Sequence, residues 1–319
     1  MREITVFTHR RPEDTSAALG RLASAAADAG VTLRLDETET RKHGLQEGPG
    51  LAVNAPVKDD VELCVVLGGD GTILGALQRY AGTGVPVFAI NFGEIGFLAT
   101  VEPEEIEDGI ARALDRDFEL RRLPGVVLDG PGGGADMPGR EVADLPGWQA
   151  DVPEAQPEIA GAGPGSAGSA ARRTAFNDVA IHRKVGERIA QIAYALDGEE
   201  VGSVRCDGLV VATPAGSTGY NLANGGPVMA WGVEGFVVSF IAPHSLAART
   251  LVVAPRDRLT IHNRSREPLD VAVDGRPAAE IPSGGSIDAR FVDAVGTIAQ
   301  LPGSSFYRRL REKFGRLAS

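Results

Sequence analysis

The sequence contains little cysteine, few aromatic residues and no long apolar run. Two of its 319 residues are cysteine, Cys64 and Cys206, and aromatic residues make up 5%. Two cysteines without metal-ligand spacing exclude a disulfide framework, so we expect reduced thiols in a cytoplasmic protein. Apolar runs such as 236–242 are far shorter than the roughly 20 residues that span a bilayer, and we recognise no secretory signal. The sequence therefore predicts no membrane partner.

Basic residues are too few for general nucleic-acid binding. Lysine and arginine number 32 against 43 acidic residues, which gives a net charge of −11. Nucleic-acid affinity depends on basic side chains that neutralise phosphates, so we expect no nucleic-acid partner. A small phosphate ligand is not excluded, because backbone N–H groups can bind anions locally in an acidic protein.

The first part of the chain, 1–117, alternates apolar runs with amphipathic segments. This alternation predicts an α/β domain with an open parallel sheet and helices on its faces. The run 63–67 is continuously apolar, as expected of a strand that is covered on both faces. The other predicted elements are strands at 3–8, 31–35 and 85–90, and helices at 14–30, 73–80 and 104–114.

From 118 to 302 the pattern changes to short β-type runs separated by turn residues, which predicts a β-rich, β-sandwich-like second domain. The stretch 130–172 within it is rich in glycine and proline. It can bury too little apolar surface to offset its ordering entropy, so we expect a flexible insertion rather than a lid. The basic amphipathic segment 303–319 is expected to form a helix that packs back on the α/β domain.

One chemistry-bearing segment directly follows the apolar run 63–67. Gly68-Gly69-Asp70-Gly71-Thr72 continues this predicted strand and precedes a predicted helix, so it lies at the carboxyl edge of the sheet, where ligands bind in open α/β folds. Glycines allow the backbone to approach phosphate oxygens closely. The aspartate can accept a proton from an attacking hydroxyl or help to hold Mg²⁺. A simple Asp-Gly turn is the alternative, but the strand-linked run favours phosphate binding.

Several segments in one order resemble the NAD kinase family. The run 68–72 is similar to a signature shared by NAD kinases, diacylglycerol- and sphingosine-type lipid kinases and, more distantly, 6-phosphofructokinases. The segment Asn91-Phe92-Gly93-Glu94-Ile95-Gly96-Phe97-Leu98 matches a second NAD kinase motif, and Asn177-Asp178 a third. Asp207-Gly208, Thr213–Tyr220 and Gly225-Gly226-Pro227 resemble the long motif of the second domain.

The resemblance implies transfer of a terminal phosphoryl group from ATP or polyphosphate to the adenosine 2′-hydroxyl of NAD. It implies Asp70 as the catalytic base, with Gly68, Gly69, Gly71 and Thr72 forming the phosphate-donor loop. The residues that it implies for NAD binding are Gly71, Phe97, Asn177, Asp178, Arg205, Asp207, Thr218, Gly219, Tyr220 and Ala223. It also implies Mg²⁺ or another divalent cation, with unassigned metal ligands, and a homodimer or homotetramer.

Other interpretations stay open from the residues alone. Phe97 is equally well a core aromatic, Arg205 a surface residue and Tyr220 a half-buried packing residue. Asn177-Asp178 and Asp207-Gly208 also suit ordinary turns or caps. A lipid or other small-molecule kinase with the same glycine loop is the alternative enzyme. Departures from the family's commonest residues at Ala215, Gly219 and Ala223 keep a non-catalytic NAD-binding sensor as a third hypothesis.

Overall fold

The structure is a computed structural model that describes residues 2–93, 96–129 and 173–315. It divides into two units. The first contains the described residues as far as Leu123 together with those from Gly296 onward, and the second runs from Pro124 to Val295. The predicted insertion 130–172 lies outside the described residues, as does the end of the predicted C-terminal helix. The predicted domain boundary after 117 stays a prediction.

Strands and helices alternate in the first unit, whereas strands dominate the second. The strands are β1 (Arg2–Thr8), β2 (Val31–Arg34), β3 (Leu51–Ala52), β4 (Leu63–Gly68), β5 (Pro86–Asn91), β6 (Glu119–Asp129), β7 (Thr174–Ala175), β8 (Asp178–Arg183), β9 (Ala190–Leu196), β10 (Glu199–Cys206), β11 (Gly208–Ala212), β12 (Phe236–Ile241), β13 (Leu251–Val253), β14 (Leu259–Asn263), β15 (Leu269–Val273), β16 (Arg276–Ile281) and β17 (Ser286–Gln300). The helices are α1 (Pro12–Asp28), α2 (Glu37–His43), α3 (Asp70–Arg79), α4 (Ile106–Asp115), α5 (Tyr220–Ala223) and α6 (Phe306–Phe314). Across the described ranges, none of these helices combines the length and apolar character needed to cross a bilayer.

The first unit contains a parallel sheet. Its strands follow the order β17, β5, β4, β1, β2, β3, and every neighbouring pair in this order is parallel. β4 is buried along its whole length, as its continuous apolar sequence predicts. Leu19 and Leu22 of α1 are buried in the same core as Ile4 and Val65 of the sheet. The predicted open parallel α/β sheet is confirmed.

The second unit contains two antiparallel sheets. One follows the order β10, β9, β14, β17, and the other β13, β12, β11, β8, β15, β16. Apolar residues of both sheets share one core, with Ile192 and Ile261 on the first and Val179 and Val211 on the second. Alternating inward-facing residues are typical of face-to-face sheet packing. The predicted β-rich second domain is confirmed.

The start of α3 differs from the sequence prediction. Hydrophobic spacing predicts a helix from Ile73, whereas the structure begins it at Asp70. Gly69 has extended backbone angles, with φ −90° and ψ −176°, and is the N-cap residue. A carboxylate in the first turn is stabilised by the positive end of the helix dipole, so Asp70 suits the first helical position. Asp70 is therefore part of a helix N-terminus rather than of a free loop.

Candidate active site

Two motif segments of the first unit leave the carboxyl ends of neighbouring parallel strands. Gly68 at the end of β4 pairs in register with Asn91 at the end of β5. The backbone N–H of Phe92 also donates to the Gly68 carbonyl at 3.2 Å. The carboxyl edge of a parallel sheet is the usual ligand-binding edge of open α/β folds. The tertiary structure thus places the two motifs side by side.

The two segments approach each other closely at glycine residues. A Cβ atom on Gly93 would lie 3.0 Å from Cα of Gly69, and one on Gly69 would lie 3.2 Å from Cα of Gly93. At Gly68, a Cβ atom would lie 2.7 Å from Oγ1 of the buried Thr72. Gly71 lies exposed in the first turn of α3. Gly69 and Gly93 therefore allow the two backbones to pack closely, Gly68 leaves room for the Thr72 side chain, and Gly71 leaves the helix start open to a ligand.

Asn91 organises the second motif, a role that the sequence analysis did not assign to it. Its buried side chain accepts a hydrogen bond from the Gly93 N–H at 2.9 Å and donates one to Glu102 at 2.8 Å. A Cβ atom on Gly96 would lie 3.1 Å from this side chain. The Asn-x-Gly spacing of the motif is the signal that could have identified this turn.

Asp70 is held by backbone donors from the second motif. The N–H of Phe97 donates to its Oδ2 at 3.1 Å, and the N–H of Leu98 donates to its Oδ1 at 3.2 Å. Desolvation raises the pKa of this half-buried carboxyl group, while the two N–H bonds and the charges of Arg309 and Lys313 act in the opposite direction. A carboxylate with a raised pKa is a better proton acceptor near neutral pH.

The C-terminal helix α6 contributes to the same site. Nη1 of Arg309 donates to the Phe97 carbonyl at 2.7 Å. The rings of Phe97 and Phe314 lie 5.3 Å apart between centroids, and Phe97 is buried. Phe97 therefore packs as a core aromatic and also supplies a donor to Asp70. Only the amphipathic pattern of α6 was visible in the sequence, so Arg309 was not predicted as a site residue.

In the second unit, one carboxylate holds the backbone of the Asn177-Asp178 motif. Asp274 accepts hydrogen bonds from the N–H groups of Phe176 at 3.0 Å, Asn177 at 2.7 Å and Asp178 at 3.1 Å. Asp274 and Gly275 both have positive φ, 46° and 75°, in the tight turn between β15 and β16. An Asp-Gly pair is typical of such a hairpin turn, but this local pattern does not reveal the hydrogen bonds to residues about 100 positions away.

Asp178 is a buried carboxyl group beside another one. Desolvation, together with the charge of Asp274, raises the pKa of Asp178 to about 7. Two carboxylates in one low-dielectric region resist simultaneous ionisation. Asp178 therefore changes its charge near neutral pH, a property that suits a residue in a polar ligand site.

The segment 213–218 packs directly on this motif. Oγ1 of Thr213 donates to the Phe176 carbonyl at 2.6 Å and accepts from the Gly216 N–H at 3.0 Å. A Cβ atom on Gly216 would lie 2.0 Å from the carbonyl oxygen of Asn177. Oγ1 of Thr218 donates to the Ala215 carbonyl at 3.2 Å. The structure thus brings Asn177 and Thr218 into one region of the second unit.

Tyr220 joins this region through its ring and its electrostatic neighbours. The ring stacks on His182 with 5.7 Å between centroids. Desolvation raises the pKa of Tyr220 to about 12, and the charges of Asp178 and Asp207 act in the same direction. Asp207 accepts a hydrogen bond from Nε of Arg183 at 2.6 Å. Asp207 therefore has an ionic partner, which the Asp-Gly turn interpretation did not anticipate.

Three predicted residues are placed on the surface of the second unit. Arg205 is exposed on β10 between the buried Val204 and Cys206, and its carbonyl accepts from the His244 N–H at 2.7 Å. Gly219 and Ala223 are exposed at either end of the turn that contains α5. For these three residues, a role in ligand binding stays a prediction.

A protein cage for a metal ion is absent from the described ranges, where no three His, Cys, Asp or Glu side chains gather at metal-binding geometry. Mg²⁺ often binds through one or two carboxylates and the phosphates of a substrate rather than in an all-protein cage. The described residues therefore offer no dedicated cage, and direct metal ligands remain unassigned.

Models of known protein families match both units of the chain. Residues 22–118 match the family model of the ATP-NAD kinase N-terminal domain, and residues 176–292 match that of the ATP-NAD kinase C-terminal domain. An NAD kinase of Gemmatimonas aurantiaca is 30% identical over 313 residues, which cover 98% of this chain and 95% of that protein.

Two solved structures have the same fold. The yeast NADH kinase complexed with NADH has a TM-score of 0.76 and 20% sequence identity, covering 100% of this chain and 89% of that chain. An NAD kinase from Archaeoglobus fulgidus in complex with ATP has a TM-score of 0.67 and 24% identity, covering 99% and 98%. At these identities the likeness supports the fold.

Proposed function

The chain belongs to the ATP-NAD kinase family, and we propose that it transfers the terminal phosphoryl group of ATP to the 2′-hydroxyl of the adenosine ribose of NAD. The products are NADP and ADP. The observation that carries the residue assignment is the Asp70 carboxylate, fixed by two backbone N–H groups at the start of α3.

Asp70 is proposed as the general base. The 2′-hydroxyl oxygen attacks the terminal phosphorus, its proton passes to the Asp70 carboxylate, and the bond from phosphorus to the bridging oxygen of ADP breaks. Phosphoryl transfer depends mainly on positioning and charge stabilisation. Two hydrogen bonds orient the carboxylate, and desolvation raises its pKa towards the working range of a base. The first turn of α3 is exposed at Gly71 and follows the glycine loop. Backbone N–H groups at such a helix N-terminus can bind the phosphates of the donor.

The second unit is proposed to bind NAD. Asn177 and Asp178 offer amide and carboxylate groups for ribose hydroxyls, and both lie on a backbone that Asp274 holds by three hydrogen bonds. Thr218 and Tyr220 are proposed to contact the nucleotide, and the neighbouring Asp207 is proposed to contact the nicotinamide end. The proposed NAD-binding surface also includes three exposed residues, Arg205, Gly219 and Ala223. Their inclusion follows from the family resemblance rather than from a specific contact.

The phosphoryl donor is proposed to be ATP, with polyphosphate as an alternative to be assayed. A divalent cation, proposed as Mg²⁺, would bind together with the donor phosphates and neutralise part of their charge. A homodimer or homotetramer is retained as a proposal that follows from the family resemblance, and a cytoplasmic location as one that follows from the low cysteine content.

The test is NADP formation by purified protein and by Asp70→Asn. Wild type is expected to convert NAD to NADP with ATP and Mg²⁺, while Asp70→Asn loses turnover by about 10²–10⁴-fold. NAD affinity, measured by calorimetry, is expected to stay close to wild type. Asp60→Asn is the matched control, because Asp60 is an exposed aspartate of the same unit.

Three results would contradict the proposal. Equal turnover in Asp70→Asn would remove the assigned base. Phosphorylation of diacylglycerol but not of NAD would identify the alternative kinase. NAD binding by wild type without NADP formation from ATP or polyphosphate would identify a sensor. Parallel assays with NADH would define the accepted redox form.

A further inference from the structure

A single peptide group connects a half-buried cation, Arg309, to the proposed base. The carbonyl of Phe97 accepts a hydrogen bond from Nη1 of Arg309 at 2.7 Å. The N–H of Leu98, which belongs to the same peptide group, donates to Oδ1 of Asp70 at 3.2 Å. Because the peptide group is planar and rigid, the position of the guanidinium affects the direction of the N–H bond.

The charge of Arg309 also strengthens this connection. A cation at a carbonyl oxygen polarises the peptide, and hydrogen bonds in a chain reinforce one another in a low-dielectric environment. Bonds that involve a charged donor or acceptor are roughly twice as strong as neutral ones. The arrangement from guanidinium to peptide to carboxylate therefore has charged groups of opposite sign at its two ends.

Arg309 is not needed merely to attach α6 to the first unit. Phe314 packs on Phe97, Leu310 is buried, and Nζ of Lys313 lies 3.5 Å from Oε1 of Glu102. Desolvation lowers the pKa of Arg309, which shows that its placement has an electrostatic cost. Partial desolvation of a charge costs free energy that an apolar side chain would not lose, so α6 could be attached to the first unit without a cation at this position.

We propose that Arg309 is a positioning residue for phosphoryl transfer, which holds and polarises the Phe97–Leu98 peptide so that this peptide fixes the Asp70 carboxylate towards the acceptor hydroxyl. The proposal rests on the assignment of Asp70 as the base. It adds the C-terminal helix to the surroundings of the proposed base, whose two sequence motifs, 68–72 and 91–98, lie before residue 100.

The charges around this connection determine the expected pH effect. Arg309 and Lys313 of α6 both lower the pKa of Asp70. Glu102 and Glu312 stabilise the charge of Arg309, and Arg121 opposes it. Removing Arg309 takes away one of the two cations that act on Asp70 and weakens the Leu98 hydrogen bond. Both changes raise the pKa of Asp70, so the base becomes protonated at higher pH.

The first experiment is the pH dependence of kcat for wild type, Arg309→Met, Arg309→Gln and Arg309→Lys. In the Met and Gln variants, the acidic side of the pH profile of kcat is expected to shift to higher pH by about one unit. At pH values on this side, kcat is then about tenfold lower than in wild type. The KM for NAD is expected to stay unchanged, and Arg309→Lys should restore most of the wild-type profile. Arg311→Met is the control, because it removes an exposed arginine from the same helix.

The second experiment measures the titration of the Asp70 carboxyl carbon by NMR in the same proteins, without turnover. A higher midpoint in Arg309→Met supports the proposal even if wild type forms no NADP, a result that would overturn only the proposed function. An unmoved midpoint and acid limb, with a uniform fall in kcat, would show that Arg309 is only a structural contact. If Arg309→Met does not fold, Arg309→Gln and Arg309→Lys decide by the same criteria.

Discussion

Asp70 and Asp178 are both carboxyl groups whose pKa is raised by desolvation, but their neighbours differ. Asp70 is surrounded by two N–H donors and the cations Arg309 and Lys313, which favour its charged form. Asp178 lies near the charge of Asp274, which disfavours its charged form. Asp70 is therefore suited to gain and lose a proton in turnover, whereas ionised Asp178 destabilises the folded state.

At the residue scale, we predict a pH-dependent effect of Asp178→Asn on stability. The folded protein retains the Asp178 proton up to about pH 7, whereas the ordinary pKa is 3.8. Between these values the folded state binds more protons than the unfolded state, so the free energy of unfolding falls as pH rises. Asp178→Asn removes this pH dependence. At pH 8 its free energy of unfolding is expected to exceed that of wild type by a few kcal/mol.

Denaturant unfolding at pH 5 and pH 8 measures this effect. The difference in unfolding free energy between Asp178→Asn and wild type should grow from the lower to the higher pH. Asp293→Asn is the control, since Asp293 is an exposed aspartate of the same unit. A difference that is the same at both pH values would show that Asp178 is already ionised at pH 5.

At the element scale, the turn that leads from β11 to α5 depends on close backbone packing. We predict that Gly216→Ala lowers the free energy of unfolding by about 3 kcal/mol, because the added Cβ would lie 2.0 Å from the Asn177 carbonyl oxygen. Gly219→Ala is the matched control. Its Cβ would lie 3.4 Å from the nearest atom, an ordinary contact, so we expect a change of about 0.5 kcal/mol.

Chemical denaturation of both variants, followed by circular dichroism, provides the measurement. If Gly216→Ala is as stable as Gly219→Ala, the backbone at Gly216 can move away from the Asn177 carbonyl with little loss of stability. The Asn177 motif would then be less rigid than its hydrogen bonds indicate.

Helix α2 shows why some elements were not predicted. Its sequence is polar, yet Glu39 and Thr40 are buried. Glu39 accepts hydrogen bonds from Oγ1 of Thr8 at 2.7 Å and from Lys42 at 2.8 Å. Hydrophobic periodicity cannot detect a helix whose inward face is polar. The capping signal was present, because Asp36 accepts from the Glu39 N–H and Gly44 ends the helix with φ 60°.

The elements that were predicted carry strong local signals. The strands β12 and β15 are both short, mostly apolar runs between turn residues, the pattern that predicts strands in the second domain. The edge strand β10 carries a weaker local signal, because five of its eight residues are exposed and apolar alternation is confined to Val204 and Cys206 at its end. Such a strand is determined by pairing with β9, which is a tertiary contact rather than a local preference.

At the scale of the whole molecule, we predict self-association. The resemblance implies a homodimer or homotetramer, and Val201, Leu246 and Val252 of the second unit are exposed. Exposed apolar side chains are the kind of surface that a subunit interface covers. Light scattering is expected to give two or four times the chain mass of 33.3 kDa. A mass of one chain at micromolar concentration would contradict this prediction.

The sequence alone determined the order of an α/β unit and a β-rich unit, and it located the motif that carries Asp70. It could do so because buried strands, turns and glycine loops are local patterns. The tertiary structure decided which distant groups act on the motifs. Arg309 reaches Phe97 from 212 positions away, and Asp274 reaches Phe176 from 98. Local periodicity contains no information on such pairs, because their energy depends on how the folded backbone excludes water and orients each charge.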